Sequence, residues 1–272
     1  MEIIKPSQNS PIGIFDSGLG GLTVLKSLEK ILPNESFLYF GDTAHVPYGT
    51  KSAETVIRYS QHIMDFFQKH ETKAVVIACN TASAVAYQQL QQIYKIPLFD
   101  VVTPSVEYSI NITKSKKVGV VGTFSTIQSN AYTKMFKKLG NSCFVKEVPC
   151  PLFVPIIEEG WADTAIAKNI AETYLKEFQD CNIDTLILGC THYPIMANTI
   201  QNVLSNHIEL IYSGKTVGIK LKKYLKNQNC ENSSNTSQSV KYFVTDFPQK
   251  FDELGSRFLG RPLNNVTHIP IV

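Results

Sequence analysis

Two short stretches, VIACNT at residues 76–81 and LILGCTH at residues 186–192, each end an apolar run in a cysteine followed by polar side chains. A free thiol has a reference pKa near 8.5, so only a few per cent is thiolate at neutral pH. Forming that thiolate costs about 2 kcal/mol, which a nearby base or strand-tip N–H groups can offset. Alone, either cysteine reads as a nucleophile, a metal ligand, a proton carrier or a small buried hydrophobe. Together, Cys79 and Cys190 offer more. A thiolate on one side of a carbon removes a proton, a thiol on the other side delivers one, and the stereocentre inverts. Asp16 and His192 stand where each could assist one of the cysteines as a secondary acid–base group. Cys143, Cys150, Cys181 and Cys230 lack comparable flanks and read as structural.

Three other motifs compete. DSGLGGLT (16–23) resembles a dinucleotide loop, but the third glycine of that fingerprint falls on Thr23 and Asp16 would repel a pyrophosphate. SGKT (213–216) resembles the end of a phosphate-binding loop, yet Glu209 occupies the place of its first glycine. Cys190 and His192 lack the further ligands that zinc would need, so no metal is expected. No lysine marks a strand tip, so the proton chemistry calls for no pyridoxal phosphate or other cofactor. The substrate is expected to be small. No motif carries an arginine clamp, so a carboxylate would rest on strand-end N–H groups, on the hydroxyls of Ser17, Thr81, Thr123, Thr126 and Thr191, and on the Asn80 amide.

The elements that must position these residues are short apolar runs alternating with helical patterns. Candidate strands cover 12–15, 36–41, 74–79, 97–102, 117–122, 143–148, 185–190 and 208–212; none is assigned beyond 212. Helical periodicity covers GLTVLKSLEKIL, AETVIRYSQHIMDFFQKH, TIQSNAYTKMFKKL, TAIAKNIAETYLKEF and a last segment, FPQKFDELGSRFLG. Such alternation predicts an α/β fold with mostly parallel sheets. PIGIFDSG is echoed by KVGVVGTF and AVVIACNT by TLILGCTH, at offsets of about 110 residues, which predicts two similar α/β lobes with the active site in the cleft between them. We expect one lobe over 1–103 plus 213–272 and the other over 104–212. The polar stretch 227–240 reads as a loop.

Composition bounds the rest. The chain has 272 residues, enough for a large domain or two lobes, and its net charge of +3 is too small to argue for a nucleic-acid surface. No apolar stretch reaches membrane-spanning length, and the start lacks a signal-peptide core, so the expectation is a cytoplasmic protein with no membrane partner.

FDSGLGGLTVL, GDTAHVPYGTKS, VIACNTASA, VGTFSTIQSNAY, PLFVPIIEEG and LILGCTHYP, in that order along nearly the whole chain, resemble the bacterial glutamate racemases of the aspartate/glutamate racemase superfamily. The resemblance implies cofactor-independent, two-base racemisation of glutamate, supplying its D-isomer for peptidoglycan, by a homodimer. It matches Cys79 and Cys190 to the catalytic thiols, Asp16 to the group assisting the first, and His192 and Glu158 to those assisting the second. Asp16–Ser17, Tyr48–Gly49, Asn80–Thr81 and Thr191–His192 fall on substrate-binding pairs, with Thr123 and Thr126 as second-lobe threonines. Two positions depart from the family pattern: His45 stands where arginine is usual, and Thr103 where glutamate commonly precedes the proline. Rival readings are an aspartate racemase, a cysteine hydrolase using Cys190 and His192 with Cys79 idle, and a two-lobed binding protein.

Overall fold

The structure is a computed structural model and describes residues 7–204, 206–232 and 238–270. Ten strands are present among them: β1 (Ile12–Asp16), β2 (Phe37–Gly41), β3 (Ala74–Ile77), β4 (Leu98–Asp100), β5 (Lys117–Gly122), β6 (Phe144–Pro149), β7 (Thr185–Gly189), β8 (Glu209–Tyr212), β9 (Val240–Val244) and β10 (Val266–His268). They form two sheets of mixed α/β lobes, ordered β10-β9-β2-β1-β3-β4 and β6-β5-β7-β8, with every pairing parallel. Four consecutive strands of the first sheet, β2-β1-β3-β4, have the same order as the whole of the second, β6-β5-β7-β8, so β1 corresponds to β5 and β3 to β7. This is the internal echo of the sequence in tertiary form. The central strands β1, β3 and β7 are buried along their whole length, as parallel strands covered on both faces must be.

The first sheet carries two strands, β9 and β10, that the sequence reading did not assign. Both are short, and alternation is poorly marked in them: β9 is half-buried and β10 exposed at two of three positions. The expected strand at 97–102 is shorter than expected. It ends at Asp100, whose carboxylate accepts the Thr103 N–H at 2.6 Å and starts the helix Val102–Ile112 there. The helical pattern at 126–139 is two helices, Phe124–Gln128 and Ala131–Lys138, broken at Asn130 in the left-handed region. The polar stretch 227–240 lies partly outside the described residues. Its described start is tied down, with Cys230 C=O accepting from Lys73 and the Asn232 N–H donating to Glu35.

One apolar core runs through both lobes, from Ile12, Leu25 and Val76 to Leu186, Phe153 and Met196. The helix Ser213–Asn227 carries it across, burying Val217, Leu221 and Leu225 against the helices Leu22–Ile31 and Val102–Ile112. No helix among the described residues is long and apolar enough to cross a membrane.

Candidate active site

Parallel strands bring their carboxyl ends to one edge of a sheet, and the two sheets turn those edges toward each other. Between them lies a cavity of about 570 Å³. It is lined by Ser17, Tyr48, Gly49, Cys79, Asn80 and Thr81 from the first lobe and by Thr123, Glu158, Cys190, Thr191 and His192 from the second. Of the residues singled out in the sequence, Asp16 and Thr126 do not line it; both stand behind the wall.

Cys79 follows β3 and is the N-cap of the helix Asn80–Val85, its Sγ accepting the Ala82 N–H at 3.5 Å. The thiol donates to Ser17 Oγ at 3.7 Å. Burial pushes the Cys79 thiol up, Asp16 pushes it further, and the Ala82 and Ser17 contacts pull it back, leaving it at about 12. Asp16 is itself fully buried, and burial raises its carboxyl pKa against the lowering effects of His192 and the Gly18 N–H. Its oxygens accept from Gly18 N at 3.0 Å and from Thr191 Oγ1 at 3.4 Å.

Cys190 occupies the equivalent place after β7. His192 Nδ1 lies 3.9 Å from its Sγ, and His192 Nε2 lies 2.9 Å from Glu158 Oε1. Burial lowers the His192 pKa, but the partners Cys190 and Glu158 more than offset this and raise it to about 10. Both partners thus favour the protonated imidazole. The two thiols thus differ in setting: a buried carboxyl, Asp16, bears on Cys79, and an imidazole braced by a carboxylate lies beside Cys190. His192 is held in this place by contact. A Cβ on Gly20 would fall 2.3 Å from His192 Nδ1 and from Thr191 Oγ1, so only glycine lets the first-lobe loop approach this closely.

The hydroxyls bridge the lobes. Thr81 Oγ1 lies 3.0 Å from Thr123 Oγ1 and 3.1 Å from Thr126 Oγ1, and the last two are 3.0 Å apart. Asn80 is buried with its Oδ1 accepting from Tyr132, while Nδ2 has no partner among the described residues. A buried amide left unpaired beside a cavity suits an oxygen ligand. Tyr48 differs from expectation in one respect: its hydroxyl donates to Asp42 at 2.5 Å, so it meets the cavity with its ring and backbone. Asp42 also accepts from Thr245 and pairs with His45, whose ring stacks on Tyr59 with centroids 3.8 Å apart. The departure at His45 therefore sits in a network beneath the cavity wall, and that at Thr103 starts a helix.

Sequence reading missed one wall. Asp246, Phe247, Lys250, Phe251 and Leu254 line the cavity from the C-terminal helix Pro248–Leu259 and the turn before it. The helix was legible as periodicity; its cleft-facing side was not, because Lys250 and Phe251 look like any amphipathic helix residues. Among the described residues, no group of three or more His, Cys, Asp and Glu stands where it could hold a metal ion.

A family model described as Asp/Glu/Hydantoin racemase matches residues 12–217. A glutamate racemase of Geobacter metallireducens is 44% identical over 260 residues, covering 96% of each chain. The crystal structure of glutamate racemase from Francisella tularensis in complex with D-glutamate is 42% identical, covers 96% of this chain and 98% of that one, and superposes with a TM-score of 0.90. That of the isoform RacE1 from Bacillus anthracis, 34% identical, covers 97% and 98% with a TM-score of 0.92. A cleft built from two matching thiol-bearing strand tips and this likeness over nearly the whole chain agree: the chain belongs to the Asp/Glu/hydantoin racemase family.

Proposed function

We propose that the protein interconverts L- and D-glutamate by two-base proton transfer at Cα, without a cofactor. The observation that carries this reading is the pair of buried thiols, Cys79 and Cys190, supplied by equivalent strand tips of the two lobes to one cavity. The bound D-glutamate named for the Francisella relative supports the substrate. One cysteine, as thiolate, takes the Cα proton; the other thiol gives its proton to the opposite face. The Cα–H bond breaks on one side and forms on the other, and one proton has passed to the enzyme and one from it. His192, braced by Glu158, serves Cys190, and Asp16 serves Cys79. Asn80 Nδ2 and the hydroxyls of Ser17, Thr81, Thr123 and Thr191 hold the carboxylates, with Thr126 fixing Thr81 and Thr123 from behind. Burial of the ammonium and carboxylates excludes water, which strengthens every one of these interactions.

The same reading assigns the lobes to residues 1–103 plus 213–272 and 104–212. It makes the protein a cytoplasmic homodimer supplying D-glutamate to peptidoglycan synthesis, in keeping with the resemblance to glutamate racemases.

The test is incubation of the purified protein with L-glutamate in deuterated water, following optical rotation and deuterium at Cα. Rotation should decay to zero with one deuterium incorporated, and Cys79→Ser and Cys190→Ser should each lower turnover by about 10³-fold or more. Retained rotation with no deuterium uptake would sink the reading. Full turnover by Cys79→Ser would favour a hydrolase-type use of Cys190 and His192. Faster exchange with L-aspartate would move the substrate to the shorter acid.

A further inference from the structure

The helix Pro248–Leu259 packs against the helix Leu22–Ile31 and β10, and so belongs to the first lobe. Its last turn nevertheless reaches the acid–base group of the second lobe at two points. The Phe258 ring meets the His192 ring edge to face, with centroids 5.3 Å apart and planes at 86°. Arg257 Nη2 donates to the backbone carbonyl of Glu158 at 3.0 Å.

The second contact completes a helix end. Glu158 is the last residue of the helix Phe153–Glu158. A helix leaves its final carbonyls without intrahelical partners. Here Gly160, at φ +80°, turns the chain so that Gly160 N–H reaches Ile157 C=O at 3.0 Å and Trp161 N–H reaches Ile156 C=O at 2.9 Å. Glu159 N–H reaches Pro155 C=O at 3.0 Å. The Glu158 carbonyl is left over, and Arg257 takes it. A Cβ on Gly160 would lie 2.9 Å from Arg257 Nη1, so the glycine both turns the chain and leaves room for the guanidinium. A cation at a helix C-terminus is also favoured by the helix dipole.

We propose that Arg257 is a positioning residue for proton transfer at Cys190: by holding the Glu158 backbone from the opposite lobe, it fixes the Glu158 carboxylate on His192, and His192 on Cys190. The inference rests on the two-thiol reading above. It adds a residue remote from the substrate, which touches none of the reacting atoms and works only while the two lobes are closed on each other. Arg257 is exposed, so its truncation removes this contact without opening the core.

The test is steady-state racemisation of glutamate by Arg257→Ala and Arg257→Lys, alone and combined with Glu158→Gln. Arg257→Ala should lower kcat about tenfold with KM within twofold and thermal midpoint little changed. Arg257→Lys, which still offers a cationic donor, should recover most of that loss. In the Glu158→Gln background the same change should cost less than twofold, because the carboxylate it positions is gone. Equal losses in both backgrounds, an unchanged kcat, or a raised KM with kcat intact would overturn the proposal. Where Glu158→Gln turns over too slowly to follow, the ring ¹⁵N signals of His192 decide: they should move in Arg257→Ala, and unchanged signals overturn it. A wild-type protein that does not racemise glutamate at all would instead remove the reading on which this rests.

Discussion

At the residue scale the two thiols are not alike. Burial and Asp16 keep Cys79 protonated, and ionising it at pH 8 from a pKa of about 12 costs on the order of 5 kcal/mol. His192 instead lies beside Cys190, its Nδ1 3.9 Å from the Sγ. The two strand-tip thiols therefore stand in different surroundings. Because the two enantiomers have equal free energy in water, any substitution must lower kcat/KM equally from either side, and asymmetry shows only in kcat and KM taken separately. The Glu158–His192 contact has a consequence for stability. The folded-state pKa of His192 lies above its unfolded value near 6.5, so the stabilisation is complete below about pH 6.5 and disappears as pH rises through about 10. Glu158 is partly exposed, which limits the effect to about 1 kcal/mol. Urea unfolding at pH 6 and pH 10.5 should show wild type losing more stability than Glu158→Gln across that interval. Parallel losses would mean the pair does not hold the imidazolium.

At the scale of elements, the second lobe depends on one acidic turn. Asp184, just before β7, accepts from Thr113 Oγ1 at 2.6 Å, Lys114 N at 2.7 Å, Ser115 N at 2.6 Å and Thr185 Oγ1 at 2.9 Å. It thereby ties the turn leading into β5 to the start of β7, the strand that ends at Cys190. Burial opposes its charge, but these donors outweigh burial and hold its carboxyl well below the usual range. A depressed pKa contributes stability above about pH 4 that is lost as pH falls. Asp184→Asn should therefore unfold at lower urea concentration at pH 7, by about 1–2 kcal/mol, and the gap from wild type should narrow toward pH 2. A constant gap would assign the loss to packing instead. The sequence pointed to β7 as a strand; the carboxylate that anchors it carries no motif.

At the scale of the molecule, the cleft is the place where both lobes, the hydroxyl triangle of Thr81, Thr123 and Thr126, and the C-terminal helix converge. A ligand held by all of these stabilises the folded chain as a whole. D-glutamate added to Cys79→Ser at about 100 times its dissociation constant should add about 2.7 kcal/mol and raise the melting temperature by about 5–10 °C. An unmoved melting temperature at saturating glutamate would remove the cleft as its binding site. The sequence alone was sufficient for the alternation of strands and helices, the repeated lobe and the two cysteines. Each of these is written locally, in apolar runs a few residues long and in the residues that end them. Only the tertiary structure decided which side chains share the cavity. Asp16 proved to stand behind its wall, Tyr48 to spend its hydroxyl on Asp42, and Lys250, Phe251 and Leu254 to close it from 170 residues beyond Cys79. Those placements depend on how two sheets and a distant helix pack, and packing is set by contacts between residues far apart in the chain, which no local pattern records.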